Sequence, residues 1–377
     1  MGKSVGCITY HRSINYGSVL QAYALNQLLR AEGYDATLID YSNAGQKKIY
    51  QRFEPVSSIL SVARNLHTLA ISGRLQEKDR RFTSFLQQVK KTDSQFHMPQ
   101  ELELISDMYD FYVCGSDQIW NPQCSDFDCS YLLDFVKNKE KCISYAPSIA
   151  VCDLPPEWNG IFREALKDYR ALSVRERQGC QIISNLVNRL VAWVCDPVFL
   201  LPTMFWEKEA KQGKVGWEGK PYIFCYFIGD VPGMRDFSVK AARALRSQRV
   251  LVNKNLRDIG KPGKRMYEAG PYEFLSLILG AKCVCANSFH AVAFSLIFQK
   301  NFWVFDDAHN PRAASSRIRD ILSLIGLENR ILSVDSVARV DPAEPIDYSK
   351  VRMDLLQTHI ENSKRYLREA LRDKNGV

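Results

Sequence analysis

Three features are missing from this 377-residue sequence, and each absence excludes a class of protein. The longest apolar runs are interrupted by Asn, Ser, His or Gly, so no segment is typical of a membrane-spanning helix. The first residues, MGKSVGCITY, lack the long apolar stretch of a signal peptide, and we expect a cytoplasmic protein. The 11 cysteines, in a chain without an export signal, predict reduced, mostly buried thiols, and the absence of a Cys-x-x-Cys pair argues against a metal site.

The composition indicates a soluble protein of two domains with an excess of positive charge. A hydrophobic content of 46% with 24% charged residues is typical of globular proteins, and 377 residues exceed one ordinary core. The formal net charge of +8 indicates an anionic partner, and basic residues concentrate between 47 and 91. A solvated helical face is the simplest interpretation of that cluster. If the cluster binds a partner, an anionic small molecule or a membrane surface fits at least as well as nucleic acid. Nucleic acid is not expected, because no recognised binding motif is present.

The alternation of strands and helices predicts two Rossmann-like halves. Residues 4–41 form a strand-loop-helix-strand unit of the kind that opens a parallel sheet. We place an N-terminal domain at 1–200, with a basic helical insertion around 43–105. A second strand-helix series fills 201–345, and a long polar helix in 346–377 crosses back. The predicted class is α/β, and in such sheets ligands bind beyond the carboxyl ends of the strands.

Two polar loops after predicted strands are candidates for chemistry. In HRSINYG, Asn15 and Gly17 precede a helix whose first amides can hold an anion, although no GxGxxG dinucleotide motif is present. In the second loop, Gly115-Ser116-Asp117, the aspartate is either a general base or a cap for the following turn.

Arg175 and His290 are the other two candidates. Arg175 in SVRE either forms a surface ion pair with Glu176 or binds a carboxylate or phosphate through its planar fork. His290 stands among apolar residues in VCANSFHAVAF, after a strand and in the first turn of a helix that Asn287 or Ser288 can cap. A lone histidine there is commonly a core residue, but a helix N-terminus that binds an anion suits proton transfer by an imidazole. We therefore favour a functional His290.

Taken together and in this order, these stretches resemble the polysaccharide pyruvyl transferase family. The similarity covers most of the chain, through the segments GCITYHRSINYGSVLQAYAL, VCGSDQIWNP, SYAPSIA, LSVRERQG, CDPVFLL, NSFHAVAFSLIFQKNFWVF and SSRIRDILSLIGL. Ala291 stands where the family motif usually has glycine. The resemblance implies a fold similar to that of the B-type glycosyltransferases, with two Rossmann-like domains facing a cleft.

By this resemblance the protein transfers pyruvate from phosphoenolpyruvate to two hydroxyls of a sugar, forming a cyclic ketal and releasing phosphate. The acceptor would be a lipid-linked or nucleotide-linked precursor of a cell-surface polysaccharide, such as an exopolysaccharide or capsule. Arg175 would bind the anionic groups of the donor, His290 would transfer protons and contact phosphate, and Asp117 would activate the sugar hydroxyl. No metal or other cofactor is expected.

The resemblance also implies a set of substrate-binding residues around these three: Asn15, Gly17, Gly115, Ser116, Ser288 and Arg317. The basic segment is expected to approach the acceptor at the inner face of the membrane. One alternative is a nucleotide-sugar-dependent glycosyltransferase of the same fold, for which Glu268 and Glu273 are the nearest ribose-binding candidates; Glu273 is also placed to stabilise a helix N-terminus. Another alternative is a non-catalytic, ligand-binding member.

Overall fold

The computed structural model describes residues 2–216, 220–305 and 315–372, and the chain divides into two compact units. Unit 1 comprises Met1–Tyr50, Gln87–Leu201 and Met353–Val377, and unit 2 comprises Gln51–Leu86 and Pro202–Arg352. Among the described residues, no helix combines the length and the apolar character needed to cross a bilayer.

Unit 1 is built on a parallel sheet with the strand order β2-β1-β3-β4, beside a two-stranded parallel pair β5-β6. Labels follow chain order through both units. The strands are β1 (Ser4–Ile8), β2 (Asp35–Leu38), β3 (Phe111–Cys114), β4 (Cys142–Ser144), β5 (Ser173–Val174) and β6 (Ala192–Trp193). The helices are α1 (Tyr16–Ala31), α2 (Ala44–Ile49), α5 (Pro156–Leu166), α6 (Arg177–Val187) and α12 (Met353–Leu371), with short 3-10 turns at Pro99–Ile105, Cys129–Leu132, Lys139–Lys141 and Pro197–Leu200.

The first strand-helix-strand unit forms for the reasons its sequence suggests. Strands β1 and β3 are buried along nearly their whole length, as expected where helices cover both faces of a parallel sheet. Helix α1 begins after Asn15, whose Oδ1 accepts a hydrogen bond from the Gly17 amide at 2.9 Å. It ends before Gly33, which has φ +90°, a left-handed conformation that glycine adopts without strain.

Unit 2 contains a six-stranded, wholly parallel sheet with the order β12-β11-β10-β7-β8-β9. Counted from β7, this is the order 3-2-1-4-5-6 of doubly wound nucleotide-binding folds. The strands are β7 (Tyr222–Tyr226), β8 (Gln248–Leu251), β9 (Lys264–Arg265), β10 (Cys283–Ala286), β11 (Asn301–Phe305) and β12 (Ile331–Leu332). The helices are α3 (Ile59–Ala70), α4 (Ser72–Leu86), α7 (Thr203–Ala210), α8 (Met234–Ala244), α9 (Pro271–Leu279), α10 (Phe289–Ile297) and α11 (Ser315–Ile325), with 3-10 turns at Leu256–Asp258 and Glu328–Arg330.

The segment predicted as an insertion of the N-terminal domain, 43–105, is divided between the units. Helices α3 and α4 group with unit 2, because α4 packs its aromatic residues against α9. The Phe85 ring lies 5.0 Å from the ring of Tyr272, and Arg81 Nη1 lies 3.0 Å from a Glu273 carboxylate oxygen. At the other end of the chain, α12 groups with unit 1. The division of the chain therefore differs from the domain bounds drawn from sequence order, 1–200 and 201–345.

The cysteines are free thiols, and seven of the 11 are buried. Cys225 of β7 and Cys285 of β10 are neighbours in register within the core of unit 2. Over the described residues, no group of three or more His, Cys, Asp or Glu side chains is arranged to hold a metal ion.

Candidate active site

Each large sheet has one pair of neighbouring strands at which its order reverses: β1 and β3 in unit 1, and β7 and β10 in unit 2. The loops that follow such strands diverge and leave a crevice where ligands bind. Several of the residues predicted from the sequence lie after three of these four strands, β1, β3 and β10. Asn15 and Gly17 lie at the start of α1, Asp117 follows β3, and Ser288 and His290 follow β10. The placement of polar residues therefore agrees with the ligand-binding edge of each sheet.

Asp117 is fixed at the edge of the first sheet. Its side chain accepts hydrogen bonds from the Ser18 hydroxyl and, at 2.8 Å, from the amide of Gln118. Its own carbonyl accepts a 2.7 Å hydrogen bond from the Ser148 amide, which ties the loop to the end of β4. Asp117 thus caps its turn, as one interpretation held, and at the same time presents its carboxylate to the first turn of α1.

The two residues before Asp117 shape this loop from within the core. Gly115 has φ +122°, and a Cβ added there would lie 2.0 Å from the carbonyl oxygen of Tyr145, so no other residue fits. Ser116 is fully buried; its hydroxyl lies 2.7 Å from the Ala146 carbonyl and its amide donates to Gln21 at 3.0 Å. These contacts favour a role in holding the loop, and direct substrate binding by Gly115 and Ser116 stays a prediction.

Arg175, directly after β5, is buried between two carboxylates of unit 1. Its side chain is 1% exposed; Nη1 pairs with Asp196, and Nη2 lies 3.8 Å from Asp117 Oδ1. The surface ion pair with Glu176 is not formed, because Glu176 accepts hydrogen bonds from the amides of the 149–150 turn at 2.6 and 3.0 Å. The geometry indicates that Arg175 positions Asp117, and its predicted contact with the donor stays a prediction.

Side chains near Asp117 that the sequence did not indicate are Ser18, Tyr50 and Asp126. Ser18 lies three residues after the Asn15 cap, on the helix face turned toward the preceding loop, and that spacing was the available signal. Burial raises the pKa of Tyr50, which also interacts with Asn15. Burial, with the neighbouring Asp117 carboxylate, raises the pKa of Asp126. Nothing in the sequence links Tyr50 or Asp126 to Asp117, because their electrostatic interactions with it depend on the fold.

Asp40, at the end of β2, is occupied by basic side chains. His11 Nε2 lies 3.0 Å from its carboxylate, and Arg12 contacts both carboxylate oxygens. Burial alone would raise the pKa of Asp40, but the hydrogen bonds from Arg12 and His11 outweigh it and hold that pKa well below its usual range. The carboxylate of Asp40 is therefore better described as part of a structural ion pair than as a ligand for the ribose of a nucleotide.

In unit 2, His290 is the second residue of α10 and is almost fully buried. The preceding Asn287 binds the loop after β7 through both ends of its amide, with bonds of 2.7 and 2.6 Å to the backbone of Ile228. Ser288 occupies the capping position, but its side chain makes no capping hydrogen bond. The first turn of α10 thus begins at the strand-order reversal without a cap from the Ser288 hydroxyl, an arrangement that favours an anion there.

Arg317 and the alternative ribose ligands complete the comparison with the sequence. Arg317 is buried in the first turn of α11, after the segment 306–314 that lies outside the described residues. Glu273 accepts a 3.0 Å hydrogen bond from the Gly270 amide and so caps its own helix α9. Glu268 accepts a 2.7 Å hydrogen bond from Arg74. The structure brings Asp117 and Arg175 together in unit 1 and places His290, Ser288 and Arg317 in unit 2.

The model of the family described as polysaccharide pyruvyl transferase matches residues 15–309 of the chain. The chain belongs to the polysaccharide pyruvyl transferase family. The matched range contains Asn15, Asp117, Arg175 and His290, whereas Arg317 lies beyond its end. A comparison with curated proteins finds no match.

Solved structures similar to this pyruvyl transferase family member are found at low sequence identity. UDP-N-acetylglucosamine 2-epimerase from Rickettsia bellii is 9% identical with a TM-score of 0.52, covering 98% of this chain and 95% of that one. AviGT4, a glycosyltransferase involved in avilamycin A biosynthesis, is 10% identical with a TM-score of 0.47, covering 98% of this chain and 97% of that one. The predicted fold class, α/β with two Rossmann-like units and a C-terminal helix returning to the first, is confirmed.

Proposed function

We propose that this protein transfers pyruvate from phosphoenolpyruvate to two hydroxyls of a sugar in a cell-surface polysaccharide precursor. The product is a cyclic ketal, and phosphate is released. Membership of the pyruvyl transferase family supports the reaction class. The observation that carries the proposal is the Asp117 carboxylate, which Ser18 and Arg175 orient at the ligand-binding edge of unit 1.

The chemistry requires an acid, a base and a site for phosphate. A proton added to the methylene carbon of phosphoenolpyruvate turns it into a methyl group and makes C2 electrophilic. A sugar hydroxyl then attacks C2 and loses its proton to a base. A second hydroxyl forms the other C–O bond, phosphate departs, and the proton of that hydroxyl goes to the phosphate. Positioned proton donors and acceptors each contribute roughly 10²- to 10⁴-fold to such steps.

We assign the base to Asp117. A carboxylate accepts the proton of a hydroxyl best when its orientation is fixed before the substrate arrives. Ser18 and the Gln118 amide each bond one oxygen of Asp117, and the Arg175 guanidinium lies on the side of Oδ1. Arg175 and Ser18 are therefore positioning residues in this proposal, and Asp117 contacts the acceptor.

We assign proton donation and the phosphate contact to His290 and the start of α10. The first amides of a helix and its dipole stabilise an anion, and an anion beside His290 in turn favours the protonated imidazole. The unused capping position of Ser288 supports this assignment. Asn287 keeps the start of the helix in place through its two hydrogen bonds to Ile228.

A nucleotide-sugar-dependent glycosyltransferase is the second candidate, and the fold shared with a UDP-N-acetylglucosamine 2-epimerase is what favours it. A ribose ligand in unit 2 would need a carboxylate that is not already engaged. Glu273 caps α9 and pairs with Arg81, and Glu268 pairs with Arg74. These contacts favour the pyruvyl transfer.

The test is phosphate release from phosphoenolpyruvate in the presence of a panel of lipid-linked and nucleotide-linked saccharides. We expect release that depends on one acceptor, with a ketal detected on that acceptor by mass spectrometry. Turnover of a sugar nucleotide with no use of phosphoenolpyruvate would establish the glycosyltransferase instead. Turnover of neither, with phosphoenolpyruvate still raising the melting temperature, would indicate a non-catalytic binding protein.

A further inference from the structure

Helix α3 of unit 2 exposes apolar residues and buries polar ones, which is the reverse of an ordinary surface helix. Two of its polar residues face the protein: Ser61 is buried, and Thr68, 1% exposed, accepts a 2.9 Å hydrogen bond from Lys254 Nζ. Its apolar residues face outward, with Ile59 91% exposed and Leu66 62% exposed. Surface helices of soluble proteins normally bury the apolar stripe and expose the polar one.

The exposed apolar residues form one continuous face. Ile59, Val62, Leu66 and Leu69 recur at the spacing of three and four residues that places side chains on one side of a helix. Phe53 and Val56, in the loop that leads into α3, are also exposed. We call these six residues the α3 apolar face. Contiguous apolar surface of this kind marks a site that another molecule covers.

The charge around the α3 apolar face is positive. The segment 51–86 holds six Lys or Arg residues and three Asp or Glu residues. Most of these cations are paired: Arg52 with Asp79, Arg64 with Glu54, and both Arg80 and Arg81 with Glu77. The basic cluster is therefore partly neutralised within the protein, and Ile59 and Val56, 91% and 73% exposed, are more exposed than any of these paired cations.

We propose that the α3 apolar face inserts into the interfacial region of an anionic lipid bilayer. A helix with an apolar stripe on one side and basic residues around it lies in the membrane plane, with the stripe buried at the boundary of headgroups and acyl chains. Here the hydrogen bond from Lys254 to Thr68 on the opposite side ties α3 to unit 2, so the face can enter lipid without refolding. This inference goes beyond the proposed function and does not depend on it.

The alternative binding partner of the α3 apolar face is a second copy of the chain. A two-fold contact through this face would bring the positive segments 51–86 of both copies together, and like charges at an interface are unfavourable. An anionic bilayer has the complementary charge. The charge of the segment therefore favours lipid.

The experiment is flotation of the full-length protein with vesicles of phosphatidylcholine containing about 30% phosphatidylglycerol. The test variant combines Ile59→Gln, Leu66→Gln and Leu69→Gln. The matched control combines Leu104→Gln, Leu190→Gln and Met204→Gln, which change apolar residues outside the face that are each at least 79% exposed. Because all six side chains are exposed, the melting temperatures of both variants should equal that of the wild type.

We expect the wild type and the control to float with the vesicles and the test variant to partition roughly tenfold or more weakly. Equal flotation of the test variant, or a wild type that stays in solution, would overturn the proposal. A dimer in light scattering that only the test variant loses, with no flotation of the wild type, would assign the face to a second copy and also overturn it. The assay contains no phosphoenolpyruvate or acceptor, so either result leaves the proposed reaction untouched.

Discussion

The proton-transfer roles proposed for Asp117 and His290 rest on two different kinds of local structure. Asp117 is oriented by Ser18, from the first turn of α1, and by Arg175, from the residue after β5. His290 depends instead on backbone, because its helix begins at a loop that Asn287 fixes. Substitutions at the two sites should therefore fail in different ways: around Asp117 they should disturb the packing of unit 1, and at His290 they should remove chemistry with the fold intact.

For His290→Ala we predict a folded protein whose phosphate release from phosphoenolpyruvate falls by roughly 10²-fold or more, as expected for a lost proton donor. A purely structural histidine would instead cost about 1–3 kcal/mol of stability and leave normal turnover in the folded fraction. Circular dichroism melts and a phosphate-release assay separate the two. His97→Ala, at a partly exposed histidine of unit 1, is the control and should retain activity. Near-normal turnover by a stable His290→Ala protein would refute the assigned role.

Arg175→Met should destabilise unit 1 by about 3–5 kcal/mol, because it leaves the buried carboxylate of Asp196 without its cation. Urea denaturation measures the loss. Lys167→Ala removes a cation from an exposed ion pair with Glu164 and should change stability little. Arg175→Lys separates positioning from charge: it keeps the cation but cannot reach both carboxylates, so turnover should fall more than phosphoenolpyruvate binding. If phosphoenolpyruvate no longer protects a well-folded Arg175→Lys protein, Arg175 contacts the donor itself.

At the scale of single elements, the sequence predicted the bounds of helices and strands better than their partners. The strand-loop-helix-strand unit predicted at residues 4–41 is found as β1, α1 and β2, because a change of hydrophobic period separates the helix from the strands. The orientation of α3 was not predicted, since an apolar stripe indicates a buried face and here that face is outward. The burial of Arg175 was equally hidden, because the acid that pairs with it, Asp196, lies 21 residues away.

Helix α12 gives a prediction about acid stability. Its His359 ring is stacked on the indole of Trp193 in β6, with ring centroids 4.0 Å apart. Burial, with a smaller effect from the nearby Arg177, lowers the pKa of His359 to about 4, whereas an unfolded histidine titrates near 6.5. The unfolded chain therefore takes up this proton first as the pH falls. The stability that the neutral ring contributes is complete above about pH 6.5 and is lost as the pH falls toward 4.

The measurement is urea denaturation between pH 4 and 7. We expect His359 to account for a loss of about 3 kcal/mol at most across that range. His359→Phe keeps an aromatic ring against Trp193 and removes the titration, so its stability should fall less steeply with acid. Parallel pH profiles for the two proteins would show that His359 does not control the docking of α12.

For the whole molecule, the fold class followed from the sequence because strand-helix alternation leaves few choices. Parallel strands joined by helices must cross over in one hand, and such units assemble into doubly wound sheets. Which sheet a given helix joins does not follow, because an amphipathic stripe specifies burial and not a partner. Residues 51–86 group with unit 2, although the segments before and after them in the chain belong to unit 1. Helix α12 groups with unit 1, although the segment before it belongs to unit 2.

Because residues 51–86 pack in unit 2, we predict that unit 2 does not fold without them. Residues 51–86 contribute buried aromatic residues, Phe82 and Phe85, and an ion pair from Arg81 to unit 2. A polypeptide of residues 202–352 alone would expose the face of α9 on which they pack, and we expect it to aggregate or to melt without cooperativity.

Joining 51–86 to 202–352 through a flexible linker of about 20 residues should restore a cooperative thermal transition, measured by circular dichroism. The same joined chain with Phe82→Ser and Phe85→Ser is the control and should behave like 202–352 alone, because deleting one buried phenylalanine already costs about 3–5 kcal/mol. A cooperative transition of 202–352 without the added segment would show that α3 and α4 are an accessory of unit 2. In that case α3 could be removed from the protein to test the proposed membrane insertion directly. If 202–352 alone shows no cooperative transition, α3 cannot be deleted without unfolding unit 2. The proposed membrane insertion must then be tested by substitutions on the exposed side of α3.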